Sequence, residues 1–188
     1  FYIGSFVVTG IYHICLYILR KDAFYSLIFS MICLVLTFNV FINDSFLLHS
    51  VFPNIPDVIV VKADYFSMAV CGILLMHFFY QIFIKEFSYK IIMAITYTVA
   101  AAGLLVVFTS STISFNILAV FELIMVLYSI YCVAVATIKK REASKIILAG
   151  LIVIVSGAIN DILVSISVLN SIILMPVALF LFIFVQSY

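Results

Sequence analysis

Residues 146–166 read IILAGLIVIVSGAINDILVSI, about 21 residues in which Asn160 and Asp161 stand alone as strongly polar groups. Wound as a helix at 1.5 Å per residue, the run is about 30 Å long, the thickness of a bilayer's hydrocarbon core. A carboxylate inside such a run calls for a reason.

Composition sets the medium. The chain of 188 residues is 68% hydrophobic and 9% charged, with a mean hydropathy of +1.41. These values lie well outside those of soluble domains and read as an all-α membrane protein. Opening on Phe1 and closing on Tyr188 directly after an apolar run, the chain is expected to be a piece of something longer. No stretch has the short apolar core and cleavage site of a signal peptide, so the first segment is read as a spanning helix.

Cutting the chain where charges and turn residues cluster predicts seven spans: residues 2–19, 23–42, 62–84, 91–110, 115–138, 146–167 and 170–188. The apolar runs are continuous rather than alternating, which predicts helices and not barrel strands. Connections are short except Asn43 to Val61, a hairpin carrying His49, Pro53 and Pro56, expected to cover a pocket or to touch an upstream domain. Arg20, Lys21, Lys85, Lys90, Lys139, Lys140, Arg141 and Lys145 fall in alternate connections, against Lys62 alone in the others. Lysine and arginine are retained in the cytoplasm, so the amino terminus is expected outside and the carboxyl terminus in the cytoplasm.

Helical rise then places polar groups by depth. Asp161 lies about 24 Å above Lys145, Glu122 about 25 Å above Lys139, and Asn39 about 27 Å above Lys21. Asp161 shares a face with Gly150, Gly157 and Ser165, and a stripe of small residues marks a helix contact. Glu122, Asp161, Asn160 and Asn39 are therefore expected to line an outward-opening polar pocket with Lys62 and Asp64 at its rim. Two other readings stand beside it: interhelical hydrogen bonds that only hold the bundle together, and a Lys62 that merely snorkels to the headgroups.

Thr9, His13 and Tyr17 share a face of the first helix, and His77 and Gln81 one of the third. Two histidines lacking a third ligand make a poor metal signature, so both are read as packing residues and no metal site is assigned. Cys15, Cys33, Cys71 and Cys132 sit inside spans at no ligand-like spacing. Pro176, inside the seventh span, is expected to kink it.

Chemistry removes several seven-helix families. Residues 170–188 hold no lysine for a retinal Schiff base, His13 and His77 are too few for an intramembrane zinc hydrolase, and Lys85-Glu86-Phe87 and Met175-Pro176-Val177 are not the motifs of G-protein-coupled receptors. A different family is closer. YIGSFVVTGIYHICLYILRKDAFYSLIFSMICLVL (residues 2–36), VFPNIP (51–56), KADYFSMAV (62–70), IFIKEF (82–87), INDIL (159–163) and LFIFVQSY (181–188) follow one another in its order. The chain resembles, over essentially its whole length, the bacterial seven-transmembrane receptors with diverse intracellular signalling modules. It departs from them at Thr37 and Asn39, which stand roughly where an arginine is looked for.

The resemblance implies a seven-transmembrane sensory domain over residues 1–188, fused to an extracytoplasmic sensor domain and to a cytoplasmic kinase, nucleotide cyclase or phosphatase. It places the chain in a bacterial cytoplasmic membrane, with the lipid bilayer, a small-molecule ligand and a second copy of the chain as partners. No nucleic acid and no cofactor are expected. The fragment itself is not read as an enzyme, because Glu122 and Asp161 lack a nucleophile, base or metal at workable spacing. The rival functions are a small proton- or cation-coupled transporter and a passive anchor or dimerisation domain.

Overall fold

A computed structural model describes residues 2–21, 23–106, 108–109, 111–165, 168–172 and 174–187. The elements are α1 (Tyr2–Leu19), α2 (Phe24–Asn43), α3 (Ser45–Val51), α4 (Asp57–Ile82), α5 (Tyr89–Val106), α6 (Ser111–Ile138), α7 (Ser144–Ser165) and α8 (Met175–Ser187). In hydrocarbon every backbone N–H and C=O must be satisfied within the chain, and helices do this segment by segment. Six helices are long and apolar enough to cross a membrane among the described residues: α1, α2, α4, α5, and the Asn116–Ile138 and Ser144–Asp161 stretches of α6 and α7.

Two boundaries differ from the expectation by five residues. α4 begins at Asp57 rather than at residue 62, because Pro56 occupies the cap, where a missing N–H costs nothing, and Asp57 puts negative charge on the first turn. The hairpin before it is mostly ordered by α3, whose first turn is capped by the Asp44 carboxylate accepting from the Leu47 N–H at 3.1 Å. At the other end, α8 starts at Met175 instead of residue 170 and runs to Ser187. Position 176 therefore falls in the first helical turn, where proline is accommodated, and not in a helix interior where it would kink.

The chain divides into two compact units, Ile3–Ser129 and Ile130–Tyr188. In the first, small residues let backbones close up. A Cβ on Gly10 of α1 would meet the Cys33 Cβ of α2 at 3.3 Å, and one on Gly103 of α5 would meet the Ala69 Cβ of α4 at 3.8 Å. Phe6, Phe29 and Phe79 are fully buried, with the rings of Phe29 and Phe78 at 5.3 Å joining α2 to α4. His77 of α4 hydrogen-bonds the Thr96 hydroxyl of α5 at 3.1 Å. Tyr128 of α6 accepts from the Ser88 N–H at 3.0 Å and sets its ring edge-on to Phe87.

In the second unit α7 packs on α8. The C-terminus of α6 closes in a Schellman motif: the Arg141 N–H donates to the Ala136 carbonyl and the Lys140 N–H to that of Thr137, both at 3.0 Å. Lys140 takes the left-handed conformation (φ 54°) that glycine usually fills there. Its charge, with those of Lys139 and Arg141, sits at the negative end of the α6 dipole.

Candidate functional site

Within the first unit the sequence-predicted residues Asn39, Asp64 and Glu122 come together. Asn39, on the last turns of α2, donates from Nδ2 to Asp64 Oδ1 at 2.6 Å and to Ser67 Oγ at 2.9 Å. Asn43, one turn further on, donates to the same Asp64 oxygen at 2.9 Å and to the Asn39 carbonyl at 3.0 Å. The Ser67 hydroxyl in turn donates to the Asp64 carbonyl at 2.8 Å. Asp64 is thus the acceptor at the centre of a polar clamp between α2 and α4. Asn43 and Ser67 were missed as site residues, although their spacing offered the signal: Asn43 is four residues past Asn39 and Ser67 three past Asp64, so each shares a face with its partner.

Asp64 also opens onto a cleft of about 150 Å³ lined by Tyr65, Met68, Leu118, Ala119 and Glu122. Two carboxylates from α4 and α6 thereby share one small space. Below it, a Cβ on Gly72 would lie 2.6 Å from the Met125 methyl, so the absent side chain lets α6 close on α4. Lys62 is half-buried on α4 two residues before Asp64, a spacing that turns it to a different face of the helix.

Asn160 and Asp161 belong to the second unit, where both have partners. Asp161 Oδ1 accepts from the Leu174 N–H at 2.7 Å, and Oδ2 from the Met175 N–H at 2.9 Å. Asn160 Nδ2 donates to Asp161 Oδ1 and to the Ile172 carbonyl, each at 2.9 Å. The carboxylate therefore closes the open N–H groups that begin α8, at the positive end of that helix dipole. The face shared with Gly157 is a helix contact as expected, since a Cβ on Gly157 would meet the Ala178 Cβ of α8 at 2.8 Å.

The two histidines differ. His77 is satisfied by Thr96, whereas both ring nitrogens of buried His13 lack a hydrogen-bond partner among the described residues. The His13 ring instead stands edge-on to Phe29 at 4.5 Å. Cys33 and Cys132 are buried as small packing groups, and none of the four cysteines forms a disulfide among the described residues.

The long apolar helices define a polytopic helical membrane protein. The family model described as 7TM diverse intracellular signalling matches residues 1–188, the whole of the chain. The chain belongs to that family of seven-transmembrane domains. No curated protein and no solved structure matches it.

Proposed function

We propose that the chain is the membrane relay of a bacterial receptor, carrying an extracytoplasmic event to a cytoplasmic output domain, with its amino terminus outside. One observation carries the reading: Asn39 and Asn43 of α2 hold Asp64 of α4, which shares a cleft with Glu122 of α6. Two helices tied by hydrogen bonds beside a carboxylate of a third form an element that a small change can rearrange, because hydrogen bonds in a membrane can be exchanged for others of similar strength. The lopsided lysine and arginine distribution supports the orientation. The cleft suits a small cationic or hydrogen-bonding ligand, which Asp64 and Glu122 would hold, with Asn39 behind Asp64.

The test uses the full-length protein in cells. Reporter fusions after Tyr188 are active in the cytoplasm and fusions near His49 outside it. Asp64→Asn and Glu122→Gln insert normally but shift the stimulus level at which the output domain responds. Wild-type output from both variants would remove the cleft from signalling. Ion flux through proteoliposomes carrying the chain, abolished by Glu122→Gln, would favour the transporter.

A further inference from the structure

Helix α3 and the turn behind it present an apolar surface that the described residues leave uncovered. Phe46 is 79% exposed, Val51 57% and Phe52 52%, while Leu48 alone turns inward, 2% exposed, where α3 packs on α2. From Ser45 to Pro56 the segment SFLLHSVFPNIP carries no Lys, Arg, Asp or Glu. Two of its polar side chains hydrogen-bond back onto its own helix. The Ser50 hydroxyl donates to the Phe46 carbonyl at 2.7 Å, and His49 Nδ1 lies 2.9 Å from the Ser45 carbonyl, to which it can only donate. The Asp44 carboxylate is occupied in capping the first turn.

We infer that α3 and the Phe52–Pro56 turn lie in the membrane interface, with Phe46, Val51 and Phe52 inserted among the lipid acyl chains beside the ends of α2 and α4. Three features select lipid over a protein domain as the occupant. The surface is continuous with apolar side chains at the start of α4, where Val58 is 57% and Ile59 54% exposed. Between the flanking Asp44 and Asp57 it carries none of the charged side chains by which a protein partner is oriented. The Ser50 hydroxyl and His49 Nδ1 already find acceptors inside the segment, as a medium poor in water favours. Aromatic side chains at the headgroup level are the usual anchors of such segments. The segment then acts as a foot that holds the α2 and α4 ends, and with them the Asn39–Asp64 clamp, at a set depth. The inference names no leaflet and does not depend on the direction of signalling.

The experiment exploits the absence of tryptophan from residues 1–188. The full-length protein and its Phe46→Trp and Phe52→Trp variants are reconstituted in vesicles of phosphatidylcholine with or without brominated acyl chains. The difference between variant and parent emission reports the new tryptophan alone. Blue-shifted added emission, most of it lost in brominated lipid and insensitive to iodide, is expected for both variants. Red-shifted emission quenched by iodide would place the segment in water and overturn the inference. Blue-shifted emission insensitive to both quenchers would overturn it too, assigning the surface to a protein partner. The readout involves no output activity, so its failure is distinct from failure of the relay.

Discussion

Asp161 and Met175, fourteen residues apart, are joined by a hydrogen bond from the Met175 N–H to Asp161 Oδ2 at 2.9 Å, and Leu174 supplies the companion bond to Oδ1 at 2.7 Å. A carboxylate has an acceptor on each oxygen and meets both donors. An amide does not, because its NH₂ would face one of the two N–H groups. Asp161→Asn is therefore expected to cost about 1 kcal/mol and Asp161→Ala about 1–3 kcal/mol, read as unfolding in mixed micelles. Equal stability of Asp161→Asn and the parent would show that one of the two bonds contributes nothing.

The Asn39–Asp64 contact joins α2 to α4 across 25 residues of chain. A double-mutant cycle with Asn39→Ala and Asp64→Ala should give a coupling of about 0.6–2 kcal/mol, as expected for a hydrogen bond between membrane helices. Strict additivity would mean that the two side chains act independently.

Gly157 and Gly72 both sit where an added Cβ would be too close, yet the neighbours differ. At Gly157 the obstacle is the Ala178 Cβ, fixed to the α8 backbone at 2.8 Å. At Gly72 it is the free end of Met125, at 2.6 Å. Gly157→Ala should destabilise by about 1–3 kcal/mol and recover in part with Ala178→Gly, whereas Gly72→Ala should cost well under that because a methionine can swing aside. Melting temperatures of the three variants check the order, and a Gly72→Ala variant less stable than Gly157→Ala would refute it.

His13 and His77 make an opposed pair. Replacing buried His13 by Leu removes two nitrogens that lack partners, so stability should hold or rise. His77→Leu breaks the bond to Thr96 and should cost about 0.6–1.7 kcal/mol. A large loss for His13→Leu in thermal melts would reveal a polar partner at that ring.

Much of this molecule is settled by composition and period. Apolar runs of about 20 residues must become helices in lipid, because no other local structure satisfies the backbone there. The missing side chains at Gly150 and Gly157 pointed to the face of α7 on which Gly157 meets Ala178, and the cations at Lys139, Lys140 and Arg141 showed where α6 ends. Depth along one helix follows from its rise, which is how Asn39 and Glu122 could be singled out before any neighbour was known.

Which helix lies beside which is a different matter. The 3.6-residue period orients a side chain about its own axis and carries no information on the residue it meets, 25 positions away in the case of Asn39 and Asp64. Only packing decided that Asp64 belongs to the centre of the clamp, with Asn43 and Ser67 as its further partners. The same holds for α8. Hydropathy over residues 170–188 is uniform enough to suggest one long span, but the helix starts at Met175 because Asp161 takes up the N–H groups of Leu174 and Met175 there. A helix end is set by where its unpaired donors find an acceptor, and that acceptor stands on another helix.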